Sequence, residues 1–463
     1  MGGGQGLGLC RAHDSRGASR PLEGDNLRRH EDNPAKGAVI AMTYSAPRGT
    51  QDIPPEEATR WRAVEQAFRG VCARYGYGEI RTPVFEETDL FVRSVGEETD
   101  IVSKEMYTFT DRGGRSMTLR PEGTAPVMRA YLEHKLYGRP GVQKFYYIAP
   151  IFRYDRPQAG RYRQHHQVGV EALGAPGPDV DAEVIALATD LLAALGLQGG
   201  QLNINSIGCP DCRPAYREAL RQALAPVLGE LCALCQYRYH RNPLRILDDK
   251  NERCRELTRD APSILDYLCE PCREHFEGLR ALLDELQIAY AVNPRVVRGL
   301  DYYARTTFEI VHGGLGAQNE ILGGGRYDGL AAELGGPATP GIGFGSGIER
   351  LLMALQAQGW QAPEAGAPIY LAAVGDAARR AGFLLLARLR RAGLAADMDY
   401  LGRSLKAQMK EADRVRSSTV IVIGEDEIAR GVVAVRDMAT GEQREAPADE
   451  VVALLSRQSE NQR

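Results

Sequence analysis

The chain has 463 residues, of which 43% are hydrophobic and 25% charged, a balance that excludes a mostly disordered protein. Its 57 basic and 61 acidic side chains give a formal net charge of −4, which excludes a uniformly basic nucleic-acid coat protein but not local basic patches. No apolar run approaches the ~18 residues of a membrane helix, and no secretion signal is visible. We therefore expect a cytoplasmic protein without membrane association. At ~150 residues per domain, the length predicts about three domains.

The first 42 residues are rich in Gly, Arg, Asp and Asn and show no apolar periodicity. Such a segment buries too little apolar surface to offset the entropy cost of ordering, so residues 1–42 are expected to form a disordered extension. Met42 directly precedes the first well-patterned segment and is a candidate initiator.

Residues 43–207 and 287–360 carry the pattern of a largely antiparallel sheet with few helices. Trp61, Val64 and Phe68 recur at helical spacing near the start, and β-branched and aromatic runs between turn residues dominate afterwards. The pattern predicts helices over residues 54–75, 178–195 and 348–358, and strands over residues 79–83, 105–110, 116–120, 144–153, 164–173, 201–207, 296–312 and 321–325.

Residues 208–286 are rich in Arg, Asp, Glu and Cys and mainly helical in pattern, which predicts a helical insertion. Two Cys-x-x-Cys pairs brought together supply the four thiolates of a structural zinc site. Redox-active or simply buried thiols are the alternatives, because three pairs and Cys254 exceed the needs of one ion. The pairs are Cys209 with Cys212, Cys232 with Cys235, and Cys269 with Cys272.

After a linker over residues 361–367, strands and helices alternate to the end of the chain. A helix between successive strands favours parallel pairing, so residues 368–463 are expected to form an independent α/β domain. The predicted strands cover residues 369–374, 395–400, 419–424, 432–436 and the region of residue 444, and the predicted helices cover residues 377–392, 405–415 and 449–456.

An arginine-rich loop separates two of the predicted strands and contains Arg153, Arg156, Arg161 and Arg163. Each guanidinium offers a planar fork of N–H donors, so this density favours phosphate binding. A solvated hairpin held by salt bridges is the alternative interpretation.

A glycine-rich region covers residues 323–350. It lacks the dinucleotide fingerprint, because Ile348 stands where Gly is required, and it lacks the Gly-Lys-Ser/Thr of a phosphate loop. Glycines in a strand instead permit close approach of a flat ligand such as adenine to the backbone.

These segments resemble the motifs of the class II aminoacyl-tRNA synthetases. Pro83 resembles the motif 1 proline, Arg153 with its loop resembles motif 2, and Gly-x-Gly-x-Gly-x-Glu before Arg350 resembles motif 3. The run Arg-Gly-Leu-Asp-Tyr-Tyr from Arg298 and the run Gly-Gly-Gly-Arg-Tyr-Asp-Gly around Arg326 resemble signatures of the histidyl-tRNA synthetase family. The resemblance extends from residue 44 to the end. It implies an α+β fold, with an antiparallel-sheet catalytic core, a helical insertion and a C-terminal α/β anticodon-binding domain.

The resemblance also implies an activity, histidine–tRNA ligation. Such an enzyme uses ATP, with Mg²⁺, to form histidyl-adenylate, transfers histidine to the 3′ end of tRNA(His), releases AMP and diphosphate, and works as a homodimer. By this likeness Arg153 would hold the α-phosphate, Arg350 the γ-phosphate and adenine, and Arg298 would bridge substrate carboxylate and α-phosphate as the third catalytic arginine. Arg161 would join Arg153 and Arg350 in binding ATP.

The same resemblance implies the residues that bind histidine and tRNA. A carboxylate and a phenol, Glu171 and Tyr303, would address the two imidazole nitrogens, because a site left with unpaired polar groups rejects other side chains. Arg156 and Gln158 at the loop tip would contact the tRNA acceptor stem. The full implied histidine-binding set is Glu122, Gly123, Thr124, Arg153, Gln167, Glu171, Arg298, Tyr302 and Tyr303.

Two other functions are alternatives to histidine–tRNA ligation. One is the related regulatory subunit of ATP phosphoribosyltransferase, which binds histidine without aminoacylation and typically lacks the C-terminal domain. The other is a simple RNA-binding protein. The retention of Arg153, Arg298 and Arg350 and of a full C-terminal segment favours the enzyme.

Overall fold

The computed structural model describes residues 44–96, 99–362 and 368–460 of the chain. The extension expected to be disordered, residues 1–42, lies outside the described residues, as do positions 363–367 of the expected linker. Within these ranges the strands form an eight-stranded, a five-stranded and a three-stranded sheet. No helix there combines the length and apolar character needed to cross a membrane.

The described ranges contain sixteen strands and fourteen α-helices, numbered in chain order. The strands are β1 (Gly78–Glu79), β2 (Phe85–Glu87), β3 (Tyr107–Thr110), β4 (Ser116–Leu119), β5 (Gln143–Phe152), β6 (Gln164–Leu173), β7 (Gly200–Ser206), β8 (Ala291–Val292), β9 (Ala304–His312), β10 (Glu320–Arg326), β11 (Gly341–Gly347), β12 (Ile369–Ala373), β13 (Ala396–Met398), β14 (Thr419–Ile423), β15 (Val432–Asp437) and β16 (Gln443–Pro447). The helices are α1 (Pro55–Arg74), α2 (Thr88–Val95), α3 (Thr124–Glu133), α4 (Pro178–Ala194), α5 (Arg213–Leu224), α6 (Ala233–Arg241), α7 (Glu252–Leu257), α8 (Glu270–Glu285), α9 (Leu330–Glu333), α10 (Ile348–Ala357), α11 (Asp376–Arg391), α12 (Leu405–Arg414), α13 (Glu425–Arg430) and α14 (Val451–Glu460).

The eight-stranded sheet has the order β1-β5-β6-β11-β10-β9-β7-β8. Its six central strands pair antiparallel, whereas β1 with β5 and β7 with β8 are parallel. Helices α1, α4, α8 and α10 contribute to the largest hydrophobic core with this sheet, in which Val64, Phe68, Leu187 and Ile310 are buried. The prediction of a largely antiparallel sheet is confirmed, and the opposite face is left for a cavity described below.

The sequence-based predictions agree best with the structure where the hydrophobic periodicity is strongest. The helix expected over residues 54–75 is α1, and the strand expected over residues 164–173 is β6 with the same bounds. Helices α2 and α3 lie between predicted strands and have no counterpart in the prediction. Helix α3 lacks a polar face, because most of its residues are buried, so no helical periodicity marks it.

Two strand predictions are wrong over part of their length. The strand expected over residues 79–83 is limited to β1, because Pro83 lacks an N–H and Arg120 Nη1 donates to the carbonyl oxygens of Thr82 (3.0 Å) and Pro83 (3.2 Å). The strand expected from residue 296 begins only at Ala304, since the preceding segment turns along the cavity.

Residues 208–286 contain α5 to α8, in agreement with the predicted helical insertion. Leu220, Ile246 and Ile264 share a second hydrophobic cluster with Met128 and Tyr327, which lie outside this segment. The insertion is therefore packed onto the rest of the chain through a common core rather than a separate one.

The C-terminal sheet has the order β13-β12-β14-β15-β16. Strand β12 pairs parallel with β13 and β14, whereas β15 pairs antiparallel with β14 and β16. Leu389 of α11 and Leu455 of α14 pack in one apolar cluster of this sheet, and Ala412 of α12 packs in another with Tyr370 and Val420. The expected α/β architecture is confirmed.

A buried ionic network fixes strand β10 to two helices. Arg326 of β10 is fully buried and donates to Asp181 Oδ1 of α4 at 3.3 Å, while Asp181 Oδ2 lies 2.8 Å from His275 Nε2 of α8. Arg326 also donates to the carbonyl oxygens of Ala175 and Pro176. Each charged side chain of this network needs its partner, because burying an unpaired charge raises the free energy of the folded state.

We expect Asp181→Asn to lower the free energy of unfolding by about 3 kcal/mol, because it removes the buried counter-charge of the Arg326 guanidinium and leaves the half-buried Asp328 carboxylate, 3.3 Å from Arg326 Nε. Urea unfolding measures the loss. The matched control is Asp190→Asn on the same helix, where an exposed carboxylate accepts from the Tyr75 hydroxyl (2.9 Å), and it should cost less than about 1 kcal/mol. Equal effects of the two substitutions would contradict the role given to the network.

Candidate active site

A cavity of about 880 Å³ opens over the central strands of the large sheet. Strands β6, β9, β10 and β11, the start of α3, the arginine-rich loop and the insertion all contribute to its walls. A cavity of this size is large enough for a nucleotide-sized ligand.

The three predicted catalytic arginines all line this cavity. Arg153 follows β5, and its Nε donates to the carbonyl oxygen of Pro121 at 2.7 Å. Arg350, in the first turn of α10, donates from Nε to the carbonyl oxygen of Gly160 (3.0 Å) and from Nη1 to the carbonyl oxygen of Glu320 (2.9 Å). The backbone bonds orient both guanidinium groups and leave their remaining N–H donors available to a ligand.

Arg298 lies on the segment before β9 and is paired with Glu320, its Nη1 lying 2.9 Å from Oε1 of that residue. Desolvation acts to lower the pKa of Arg298, but the Glu320 carboxylate outweighs it and raises that pKa. The Nε of Arg298 is buried and has no hydrogen-bond partner among the described residues. A buried donor without a partner is expected to meet an acceptor from a ligand.

The glycines of β11 make room for two side chains of β6. Gly343 pairs with Glu171, and a Cβ at Gly343 would overlap the Glu171 side chain. Gly345 pairs with Gly169, two residues from Gln167, and a Cβ at Gly345 would overlap the Gln167 side chain. The backbone that was expected to accept a flat ligand is therefore covered here by the chain's own side chains. Only Gly347 remains open, since a Cβ there would meet no atom within 4 Å.

Glu171 lies beneath the cavity floor and is 1% exposed. Its Oε1 accepts from Thr124 Oγ1 at 2.8 Å, and its Oε2 accepts from the Tyr327 hydroxyl. Burial raises the pKa of Glu171 to about 8, against the lowering effect of these two bonds and with a further upward contribution from Glu122. The group is thus poised to change its proton occupancy when a polar ligand arrives.

Glu122 and Gly123 precede helix α3, which Thr124 begins. Glu122 Oε2 accepts from the Thr124 N–H (2.6 Å) and Oε1 from the Ala125 N–H (2.8 Å), so this carboxylate satisfies the orphan donors of the helix start. Burial raises the pKa of Glu122. Gly123 is required because a Cβ would overlap the ring of Tyr147.

The remaining predicted histidine-binding residues also line the cavity. The buried Oε1 of Gln167 has no hydrogen-bond partner among the described residues, so it can accept from a cationic ligand. The rings of Tyr302 and Tyr303 lie 4.6 Å apart, and the Arg298 guanidinium lies 6.0 Å from the Tyr303 ring. Burial raises the pKa of both phenols, which keeps them neutral.

The arginine-rich loop divides into an inner and an outer part. Arg161 lines the cavity and pairs with Asp155, whereas Arg156 and Gln158 are exposed at the tip. The backbones of Gln158 and Arg161 bond each other at 2.9 and 3.2 Å. Arg163 lies 4.0 Å over the ring of Tyr154. Arg161 therefore combines the ion pair of a salt-bridged hairpin with a position at the cavity wall.

Several residues of the site were missed by the sequence analysis. Tyr327 holds Glu171, although its position within a signature run next to Arg326 was a signal that pointed to it. Tyr147, His165 and Lys250 line the cavity without any motif. Burial, and then the nearby Arg153 and Arg350, lower the pKa of His165 to about 3, so this ring is neutral.

The cysteine pairs form two groups rather than one. Cys209, Cys212, Cys269 and Cys272 lie together, with ligand atoms within 4.8 Å of one another. The third pair, Cys232 and Cys235, lies elsewhere with Cys254 and Asp249. All of these thiols are free.

The raised pKa of Glu171 makes stability depend on pH. A carboxyl group whose folded pKa is about 8 against an ordinary 4.5 stabilises the fold fully at low pH and loses this contribution as pH rises between those values. Glu171→Gln mimics the protonated form and does not titrate. We expect the variant to gain stability relative to the unsubstituted protein between pH 5 and 8, on the order of a few kcal/mol. A difference between the thermal midpoints of the two proteins that stays constant over that pH range would contradict the raised pKa of Glu171.

Comparison with known proteins places the chain among synthetases. Residues 49–351 match the family model described as histidyl-tRNA synthetase, and residues 369–458 match the anticodon binding domain. The chain is 56% identical over 415 residues to the histidine–tRNA ligase of Desulforamulus reducens, covering 89% of this chain and 99% of that one. It is 53% identical over 421 residues to the same enzyme of Moorella thermoacetica, covering 91% and 100% of the two chains.

Solved structures agree with this result. The crystal structure of apo S. aureus histidyl-tRNA synthetase matches with a TM-score of 0.76 at 43% identity, over 89% of this chain and 100% of that one. A protein from Bacillus halodurans C described as an ATP phosphoribosyltransferase regulatory subunit/histidyl-tRNA synthetase shares the fold at 20% identity, with a TM-score of 0.60 over 83% of this chain and 99% of that one. The family model and the high identity to full-length relatives decide the matter: the chain belongs to the histidyl-tRNA synthetase family.

Proposed function

We propose that this protein is a histidine–tRNA ligase, which activates histidine with ATP and transfers it to tRNA(His). The observation that carries the proposal is one cavity that brings three arginines beside a pocket of buried polar groups. The full-length identity to relatives of that name supports the same activity.

The first step is attack of the histidine carboxylate on the α-phosphorus of ATP. A phosphorus–oxygen bond forms, the bond to the bridging oxygen breaks, and diphosphate leaves. Arg153 would hold the α-phosphate and Arg350 the γ-phosphate, with Arg161 at the same wall. Arg298, whose Nε lacks a partner, would lie between the two reacting anions and offset the charge that develops.

Histidine would occupy the pocket above Glu171. The unpartnered Oε1 of Gln167 suits an N–H of the α-ammonium group, and Thr124 and Glu122 would complete that end with Gly123. Glu171 and the Tyr303 hydroxyl would address the two imidazole nitrogens, with Tyr302 behind. A ligand without two ring nitrogens leaves one of these buried groups unpaired, which costs ~1–3 kcal/mol.

Magnesium accompanies ATP in aminoacyl-tRNA synthetases, and the cavity offers oxygen donors for it. Glu309 and Glu320 line the cavity, and burial followed by the charge of Glu320 raises the pKa of Glu309. Two carboxylates at one wall fit a hard divalent cation, which would neutralise phosphate charge when bound.

The tRNA would meet the protein at two places. The exposed Arg156 and Gln158 are proposed to contact the acceptor stem, since they project from the loop whose inner residues line the cavity. Residues 369–458, which match the anticodon-binding model, would contact the anticodon.

The regulatory-subunit alternative has less support. The likeness to the Bacillus halodurans C protein concerns the fold alone, at 20% identity. A histidine-dependent exchange of labelled diphosphate into ATP, followed by aminoacylation of tRNA(His), tests the proposal. Histidine binding without either reaction would establish the alternative.

Free thiols and an exposed apolar sheet support two further proposals. The thiols described here suit a reducing compartment, the cytoplasm.

The three-stranded sheet β2-β4-β3 follows Pro83 and exposes Phe85 and Phe109, whose rings are 6.3 Å apart. An apolar sheet surface of this kind suits the expected homodimer contact.

Replacement of Arg298 by alanine should lower kcat for adenylate formation by at least about 100-fold with a smaller change in KM, because its charge matters most in the transition state. Single-turnover and steady-state exchange measure the two constants. Arg156→Ala is the control, since that side chain is exposed and should leave the exchange reaction intact. A change confined to KM would contradict the proposed role of Arg298.

The double variant Phe85→Asp, Phe109→Asp should shift the protein from dimer to monomer in sedimentation, because two charges would be buried in an apolar contact. Tyr237→Asp, at an equally exposed aromatic position of the insertion, should leave the oligomeric state unchanged. A dimer that persists in the double variant would place the contact elsewhere.

A further inference from the structure

The insertion contains a second group of potential metal ligands. Cys232, Cys235, Cys254 and Asp249 each offer one ligand atom, and these four atoms lie within 4.8 Å of one another. Cys235 and Cys254 are buried, and the other two are half-buried. Three elements meet here: the start of α6, the turn before α7, and α7 itself. The spacing of the cysteines alone did not indicate this set, because neither Cys254 nor Asp249 belongs to a Cys-x-x-Cys pair.

The first group provides the standard for comparison. Cys209 Sγ lies 3.6 Å from Cys212 Sγ and 3.8 Å from Cys269 Sγ. Four sulfurs at ~2.3 Å from a tetrahedral zinc ion are about 3.8 Å apart, so these separations fit a zinc site, and they exceed a disulfide bond of ~2.05 Å. The Cys269 N–H also donates to Cys212 Sγ at 3.1 Å, a bond that stabilises a thiolate. Of the alternatives that the sequence left open for the cysteine pairs, these distances favour structural zinc, and we place it in this group.

The second group repeats these features. The Cys232 N–H donates to Cys254 Sγ at 3.3 Å, the counterpart of the bond in the first group. Asp249 Oδ1 accepts from the Asn251 N–H (2.9 Å), and Oδ2 lies 3.2 Å from Arg238 Nη1. A ligating carboxylate is commonly held by such outer partners, which orient one lone pair toward the metal.

We propose that Cys232, Cys235, Cys254 and Asp249 form a second structural zinc site, so that the insertion holds two ions. Three thiolates select a soft or borderline metal, and zinc accepts a carboxylate oxygen as the fourth ligand of a closed tetrahedral site. Without the ion, three thiols and a carboxylate converge in a half-buried space, where Arg238 pairs with Asp249.

The position of this site gives it a role in the reaction proposed above. Asp249 stands between Asp248 and Lys250, and all three line the active-site cavity. The charges that act on Lys250 include those of Glu320, Arg350 and Arg161, so the segment faces the part of the cavity assigned to phosphate. Arg238 extends the link, because its Nη2 lies 3.1 Å from Asp100 Oδ2 outside the insertion. The ion therefore positions a wall of the ATP-binding region.

Metal content measured on the full chain, purified without chelator, tests the proposal independently of activity. We expect about two zinc ions per chain in the unsubstituted protein and about one in either Cys254→Ser or Cys212→Ser. Cys72→Ser is the matched control, since Cys72 is an equally buried free thiol outside both groups, and it should retain both ions. One ion per chain that is lost in Cys212→Ser and retained in Cys254→Ser would overturn the second site, as would no zinc at all.

Asp249 provides a variant that keeps the test decisive if cysteine variants fail to fold. Asp249→Cys supplies a fourth thiolate and should retain the second ion, whereas Asp249→Asn should release it to a chelator more readily. Equal zinc retention in the two variants would exclude Asp249 as a ligand and contradict the proposal.

The effect of the second ion on the ATP-binding region has its own measurement, and this part of the proposal rests on the proposed function. Asp249→Asn should raise KM for ATP about fivefold, the size of a displaced charge contact, with little change in kcat or in KM for histidine. Equal changes in both KM values would show a general loss of structure. Failure of the unsubstituted protein to activate histidine would refute the function and leave the zinc count standing.

Discussion

The pairing of β6 with β11 is the constraint on which the site depends. Its register places Gly343 against Glu171 and Gly347 against Gln167. Because Gly343 and Gly345 have no side chains, Glu171 and Gln167 have room to fold over bare backbone. A shift by one residue would turn both side chains to the other face of the sheet, into the hydrophobic core. Two glycines thus determine where a carboxyl group and an amide can lie within a sheet that is otherwise packed.

The same crowding explains the electrostatics of the pocket. Because Glu171 has no room to reach water, its charged form is disfavoured, and Thr124 and Tyr327 compensate only in part. At the neighbouring wall of the cavity, Arg298 and Glu320 keep their charged forms because they pair with each other. The cavity therefore separates a region of buried carboxyl and phenol groups from a region rich in guanidinium groups, a division that fits the proposed binding of histidine beside ATP.

Most strands and many helices could be predicted from the sequence, because they follow from periodicity, whereas no strand was predicted over β2, β8 or β11. The class II fold and the histidine-specific family implied by the resemblance are confirmed. The roles of individual residues stay predictions, although the cavity brings Arg153, Arg298 and Arg350 together. Tyr147 and Lys250 were missed because their place in the cavity arises from tertiary packing, which leaves no local pattern in the sequence.

The insertion illustrates the limit of spacing rules most clearly. Cys-x-x-Cys pairs mark potential ligands, but they do not indicate which pairs meet, and here one pair is completed by Cys254 and Asp249 from another turn. Such long-range contacts add little entropy cost here, because the second hydrophobic cluster already joins the insertion to Tyr327, which donates to Glu171. A segment that first resembles an appendage is thereby part of the wall of the active site. The cysteine groups of the insertion and the cavity belong to one packed structure. A substitution that disorders the cysteine groups is therefore expected to change ligand binding in the cavity.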